Sequence, residues 1–257
     1  MDLIDLKTNG ERWRYPRFFS DAVDAVGEES AFLSPADARH AEKVLRFNKG
    51  DKAVICDGKG MDYLCAYIGN GRFEVLERFP NNAEPAVKLR LFQCCPKLDK
   101  MDFIVQKAVE LGASEIIPVI AARCISRPTA NSAAGKVARW NKIAYEAAKQ
   151  CGRGRVPSVG GVVNFQQALD MVNPANLGII FYECGGQPLG KVLGVPVSAS
   201  IAHIDLFIGS EGGFEAAEVE LAKSRGLVPA TMGERILRVD TAAVSAISIV
   251  MYLVDNG

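Results

Sequence analysis

Apolar positions recur along this chain with two different periods. Between residues 51 and 78 they alternate or cluster in short runs, Asp51 to Cys56, Tyr63 to Ile68 and Phe73 to Arg78, separated by the turns Asp57-Gly58-Lys59-Gly60 and Gly69-Asn70-Gly71. Short strands joined by tight turns predict a small β-barrel. Ahead of them Ser34, Pro35 and Asp37 read as an N-cap, a proline at the first helical position and a first-turn acid, opening a helix through Leu45. From Val87 onward the pattern changes. Val87 to Cys94 reads as a strand, and Asp99 then caps a helix whose apolar Met101, Ile104, Val105, Ala108 and Leu111 fall at helical spacing before Gly112. Glu115 to Ile120 is another strand, and a strand-helix-strand unit marks a parallel sheet. Pro80-Asn81-Asn82-Ala83-Glu84-Pro85 is rich in turn formers, so residues 80–86 read as the linker between the two regimes.

The second regime continues with an amphipathic helix from Lys136 to Gln150, inward at Val137, Trp140, Ile143, Ala144 and Ala147, and broken by Pro157. A short helix (Phe165 to Met171), a strand (Leu177 to Tyr182) and a turn (Glu183 to Gly186) follow. Residues 204–245 then combine a buried strand (Ile204 to Ile208), a glycine-rich turn (Gly209, Gly212, Gly213), a helix, a short strand and a polar loop (Gly233 to Asp240). The helix carries Glu215, Glu218 and Glu220 early and Lys223 and Arg225 late, the order that suits its dipole, with Gly226 as its cap. A final apolar helix is expected from an N-cap at Asp240 or Thr241 to about Val254. Both loops sit where strands end and helices start, the place where α/β proteins bind ligands. The glycine spacing is neither that of the dinucleotide fingerprint nor that of the Walker phosphate loop. Taken alone it reads equally as a tight strand-to-helix turn.

Composition narrows the class. A chain of 257 residues fills one large or two modest domains, and 49% hydrophobic against 23% charged residues supports a packed core. The longest apolar runs, such as Ala242 to Val254, fall short of a bilayer span, and the first residues lack the apolar segment of a signal peptide. A cytoplasmic protein with no membrane partner is therefore expected. Seven cysteines without a C-x-x-C pair, and only two histidines, argue against a disulfide framework and against a metal site.

Net charge is zero, but the distribution is uneven. Residues 123–155 hold Arg123, Arg127, Lys136, Arg139, Lys142, Lys149, Arg153 and Arg155 against a single acid, Glu146. Such a patch suits a phosphate backbone or, equally, a solvated helix face. Arg12-Trp13-Arg14-Tyr15-Pro16-Arg17-Phe18-Phe19 interleaves three arginines with four aromatics, a composition that stacks on splayed bases or seeds a barrel core.

Two segments acting as a set resemble a known family. Gly209-Ser210-Glu211-Gly212-Gly213-Phe214 and, one helix later, Met232-Gly233-Glu234-Arg235-Ile236-Leu237-Arg238-Val239-Asp240-Thr241-Ala242 resemble the paired signature of the RsmE family of 16S ribosomal RNA uracil-N3 methyltransferases, in the knotted SPOUT superfamily. Ser210 stands where the family has proline and Asp240 where it has glutamate. Arg17-Phe18-Phe19, His40 to Arg46, and Glu146 with Gln150 and Arg153 also match, so the resemblance runs from about Arg17 to Val254.

The resemblance implies an α/β fold: a C-terminal SPOUT domain over residues 87–257, with a parallel sheet and trefoil knot, preceded by a PUA-like β-barrel over 17–79 that binds RNA. Residues 1–16 would be an extension. S-adenosylmethionine would lie among three loops, with Glu183, Gly209, Glu211, Gly212, Gly213, Ile236, Leu237, Arg238, Thr241 and Ala242 as its site. The methyl acceptor would be N3 of a uridine in the decoding region of 16S ribosomal RNA on the small ribosomal subunit. Arg17, Arg46, Arg123, Arg127, Gln150 and Arg153 would contact that RNA, and the chain would act as a homodimer with the last helix partly in the interface.

Uracil N3 carries a proton, so the reaction needs cations against O2 and O4 or a positioned base. Arg238 or Arg17 could supply the first, Glu211 or Asp240 the second. Glu211 could instead accept backbone amides, and Arg235 and Arg238 could pair with Asp240 and Glu234 to stiffen their loop. A related RNA methyltransferase with another base or ribose target, and a non-catalytic RNA-binding assembly protein, stay open at this point.

Overall fold

The computed structural model describes residues 14–20, 30–194 and 201–256. Arg12 and Trp13 of the arginine-aromatic run, and most of the extension expected over 1–16, lie outside the described residues. Packing divides the chain into one unit of Met1–Glu84 with Ala148–Val156, and a second of Pro85–Ala147 with Pro157–Gly257.

The first unit is built on a five-stranded sheet in the order β1-β3-β4-β5-β2. Its strands are β1 (Arg17–Phe19), β2 (Ser30–Phe32), β3 (Lys52–Cys56), β4 (Met61–Gly69) and β5 (Arg72–Pro80). β1 runs parallel to β3, and the remaining pairs are antiparallel. Phe18, Ile55, Tyr63, Tyr67 and Phe73 fill the core of this sheet. The short β2 was not expected, because three residues carry too little alternation to be read. Helix α1 (Pro35–Arg39) starts as expected, with Ser34 Oγ accepting the Asp37 amide at 3.1 Å, and passes into a π-helical turn over His40–Val44.

A buried ionic network ties residues 148–156 into this unit. Asp62, fully buried, accepts two hydrogen bonds from the Arg17 guanidinium, at 2.9 and 2.6 Å, and one from Asn81 at 2.8 Å. Arg17 also donates to the Arg153 carbonyl at 2.9 Å, and Arg153 in turn binds Glu84 at 3.1 and 2.7 Å. Lys149 pairs with Asp37 at 2.9 Å.

The second unit carries an eight-stranded sheet in the order β11-β13-β10-β12-β6-β7-β8, with β9 pairing beside β7. In chain order its elements are β6 (Lys88–Cys94), α2 (Lys100–Glu110), β7 (Ala113–Ile120), α3 (Ala130–Gln150, whose last turn joins the first unit), β8 (Ser158–Val159), β9 (Val163–Asn164), α4 (Phe165–Asp170), β10 (Leu177–Phe181), β11 (Gln187–Pro188), α5 (Leu189–Leu193), β12 (His203–Ile208), α6 (Ala216–Ser224), β13 (Val228–Thr231) and α7 (Val239–Asn256). Every strand pair in this sheet is parallel. The central strands are mostly apolar, as strands covered on both faces are, and the buried Asp205 of β12 is met by Arg90 of β6 at 2.8 Å. Phe92 of β6 and Phe207 of β12 stack at 4.2 Å between ring centres, and Ile117, Phe165 and Phe214 pack around them. After β10 the chain forms β11 at one edge of the sheet, then β12 on the other side of β10, and returns past β10 to place β13 between β10 and β11. That reversal leaves a crevice at the carboxyl ends of these strands.

Two helix starts differ from expectation. α3 begins at Ala130, six residues before Lys136, because Thr129 receives the Ser132 and Ala133 amides at 3.0 and 2.9 Å. Its first turns are rich in alanine, a strong helix former that leaves no apolar stripe to detect. α7 begins at Val239, with the Ala242 amide bonded to the Arg238 carbonyl at 2.7 Å, so Asp240 and Thr241 lie inside its first turn and not at the cap. Among the described residues no helix is long and apolar enough to cross a membrane.

Candidate functional site

The crevice at the ends of β10, β12 and β13 holds a cavity of about 120 Å³. Three segments line it: Phe181, Tyr182 and Glu183 after β10; Ile208 to Glu211 with Gly213 after β12; and Ala230 to Gly233, Arg235 to Leu237, Val239 and Ala242 between β13 and α7. Each is a strand end running into a loop, so the parallel sheet itself brings together three stretches remote in sequence.

The glycine turn has a specific shape. The Gly213 amide bonds the Ser210 carbonyl at 2.9 Å, and Gly213 takes φ +66°. A Cβ there would stand 2.8 Å from Oε1 of Glu183, so the glycine lets that carboxylate lie directly against the turn. Gly212 faces the other way: Arg123 packs on it and donates to its carbonyl at 3.1 Å. Ser210 is buried, and its hydroxyl reaches the Arg123 carbonyl at 3.4 Å.

Charge in the site is organised by a lysine that sequence reasoning missed. Glu211 accepts the Lys97 amide at 3.2 and 3.3 Å, and Lys100 Nζ lies 3.5 Å from Glu211 and 3.3 Å from Asp240. Burial alone would raise the Asp240 carboxyl. Its own amide, with the nearby charges of Lys100 and Arg238, outweighs burial and holds it below its ordinary value. The expected pairing of Arg235 and Arg238 with Glu234 and Asp240 does not form among the described residues, because Lys100 takes Asp240.

Of the residues expected at the cofactor, Glu183, Gly209, Glu211, Gly213, Ile236, Leu237 and Ala242 line the cavity. Gly212, Arg238 and Thr241 do not; Gly212 backs onto Arg123. Tyr182, Ser210, Thr231, Met232 and Arg235 line it as well. Tyr182, Ser210 and Arg235 fall within the three loops expected around the cofactor, and for Thr231 and Met232 the position at the end of β13 was the signal that could have found them.

The expected RNA contacts separate into two kinds. Arg46 and Gln150 are exposed, and Arg123 is exposed while holding Gly212. Arg127 donates to the carbonyls of Cys124, Ala121 and Ala122 at 3.0, 3.3 and 2.6 Å, and so staples its own loop. Arg17 and Arg153 belong to the buried network of the first unit, Arg153 being only 3% exposed. Burial opposes the charge of Arg17, but its hydrogen bonds and attraction to Asp62 more than compensate and raise its pKa.

A family profile described as the RNA methyltransferase domain matches residues 83–251, and one described as the RNA methyltransferase PUA domain matches 33–76. The ribosomal RNA small subunit methyltransferase E of Bacillus subtilis is 32% identical over 248 residues, 92% of this chain and 96% of the relative. This chain belongs to the ribosomal RNA small subunit methyltransferase E family. The Neisseria gonorrhoeae member, crystallised with S-adenosyl methionine, superposes with a TM-score of 0.82 at 32% identity, covering 93% of this chain and 98% of that one. A methyltransferase of Legionella pneumophila, also in complex with the cofactor, gives a TM-score of 0.82 at 26% identity over 93% and 98% of the two chains. The α/β class, the parallel sheet and the PUA-like domain placed first therefore stand as the resemblance implied. As a member of the methyltransferase E family, the chain is an S-adenosylmethionine-dependent ribosomal RNA methyltransferase.

Proposed function

We propose that this chain transfers the methyl group of S-adenosylmethionine to N3 of a uridine in the decoding region of 16S ribosomal RNA, on the small ribosomal subunit. The observation that carries the reading is the cavity built from three strand-end loops, in a family whose members have been crystallised with that cofactor.

The residues fit the cofactor. The carboxylates of Glu183 and Glu211 beside the backbone of the glycine turn suit a ligand bearing hydroxyls, an amino group and a positive sulfonium, and Ile208, Ile236, Leu237 and Val239 supply an apolar wall for an adenine ring. Bound there, S-adenosylmethionine supplies an electrophilic methyl group. The chain's own task is to hold uracil unpaired and to favour the N3 anion. Arg238, exposed and without an ion pair among the described residues, is the cation we assign to the developing charge on O2 or O4. Asp240, kept ionised by Lys100, is a weak base, which leaves Glu211 as the carboxylate to test for that role. Arg17, bound to Asp62, acts in this reading as a strut and not at the reacting atoms.

Residues 17–79 form the RNA-binding PUA-like domain in this reading, 80–86 the linker and 87–257 the knotted SPOUT domain. Arg46, Arg123, Arg127 and Gln150 are the exposed candidates for RNA contact. Two chains pair through α7, whose Ile249 and Tyr252 are 39% and 67% exposed beside the buried Ala246, Ile247 and Val250. The enzyme acts in the cytoplasm, where ribosomes are assembled.

The test is mass spectrometry of digested 16S ribosomal RNA from cells lacking the gene, with and without complementation. Loss of 3-methyluridine and its return on complementation support the reading, and unchanged 3-methyluridine overturns it.

A further inference from the structure

We propose that Lys100 is a positioning residue of the cofactor site, a cationic clamp that joins the glycine turn to the first turn of α7. The inference rests on the reading of the cavity as the S-adenosylmethionine site and adds a residue which that reading does not include.

Lys100 opens α2, directly after the loop of residues 95–99. A cation in the first turn of a helix faces the positive end of the dipole, so α2 gains nothing from a lysine there. The placement is explained by what the ammonium meets on other elements. Glu211, from the turn after β12, is 3.5 Å away, and Asp240, from α7, is 3.3 Å away. The amide of Lys97 adds two contacts to the same Glu211 carboxylate, at 3.2 and 3.3 Å. One short stretch of chain thus fixes both flanks of the cavity, since Glu211 lines it and Asp240 stands between the lining residues Val239 and Ala242.

The backbone supports a built feature. Leu98 takes φ +56°, a region that costs a non-glycine residue energy, and its side chain is 90% exposed, so packing of that side chain does not hold it there. The neighbouring bonds from Lys97 and Lys100 to Glu211 are what hold the loop.

The clamp has an electrostatic consequence. Two carboxylates and one ammonium leave a single net negative charge beside a ligand whose sulfonium is positive before transfer and whose thioether is neutral afterwards. Removing the ammonium loosens the turn for both ligands but strengthens the field that only the sulfonium feels. The groups facing Asp240 are Lys100 from α2, Arg238 from its own loop and, through Lys100, Glu211.

The experiment is calorimetric binding of S-adenosylmethionine and of S-adenosylhomocysteine to the full chain and to Lys100→Met and Lys100→Arg, from about pH 3 to 8, a range that includes the ordinary carboxylate values. Met keeps the apolar stem and removes a charge that α2 does not need, and the Arg variant tests charge separately from shape. The expected result is S-adenosylhomocysteine bound about fivefold more weakly by Lys100→Met, a smaller loss for S-adenosylmethionine, and near-normal binding by Lys100→Arg. The acid limb of binding should also move to higher pH in Lys100→Met, as Asp240 loses its partner. Equal affinities in all three proteins, or the same loss for both ligands in both variants, overturn the clamp. If the unaltered chain binds neither ligand, the cofactor reading fails and the clamp with it.

Discussion

The molecule uses arginine in two opposite ways. In the first unit Arg153 is buried and Arg17 nearly so, each bonded to a carboxylate, with Asp62 completely enclosed. In the second, Arg235 and Arg238 are exposed on the loop that borders the cavity and form no ion pair among the described residues. A buried guanidinium whose partner is removed leaves an unpaired charge in a poorly solvated place, whereas an exposed one remains solvated and available to a ligand. Both kinds occur within segments that match the same family, so resemblance in sequence does not separate the strut from the reagent.

The largest test of this contrast is Arg17→Ala, expected to cost about 3–5 kcal/mol because Asp62 then stays buried without its cation. Urea denaturation measures it. An unchanged midpoint with methylation abolished would reverse the roles and make Arg17 the reagent. Arg238→Ala should do the opposite, leaving stability within about 0.5 kcal/mol while slowing methyl transfer by about a hundredfold. Its pH-rate profile sharpens the assignment, since a deficit that fails to shrink as pH rises toward the pKa of uracil would remove Arg238 from the stabilisation of the anion.

Gly213→Ala lies between the two cases. Its new Cβ would meet Glu183 at 2.8 Å at φ +66°, and the strain should cost about 1–3 kcal/mol. Cofactor affinity should fall with it, and titration calorimetry on the folded variant would detect that; wild-type affinity would mean that Glu183 moves aside freely.

The smallest effect belongs to Asp240. Its carboxyl is held below its ordinary value by its own amide and Lys100 against the effect of burial, so the stabilisation is present above the unfolded value and is lost as pH falls through the folded one. Asp240→Asn should therefore be less stable than wild type at neutral pH, by no more than about 1 kcal/mol for a partly exposed pair. The gap should close on acidification below about pH 4, the ordinary carboxylate range. A gap that widened toward acid would contradict the direction of the shift.

Much of the fold is legible in local pattern. Ser34 with Pro35 announces a helix start, and the alternation after Lys52 announces the strands of the first sheet. The mostly apolar runs Leu89 to Cys94 and Ile204 to Ile208, interrupted only by Arg90, Gln93 and Asp205, announce buried parallel strands. The candidate site was legible at its glycines and at Ile236 and Leu237. Lys100 was not, because a lysine at a helix start looks like solvated surface until the residues far along the chain that face it are known. Arg153 failed in the same way, its neighbours in sequence being basic and its partner Glu84 lying on a different segment.

The sequence alone therefore determined the order and type of the main elements, the two-part organisation and the family signature, because hydrophobic period, capping and turn chemistry act over a few residues. The tertiary structure alone decided which charges are partners and which remain open to a ligand. An ion pair depends on where separate segments meet in space and on how little water is left between them, and neither quantity is written in any local stretch of chain.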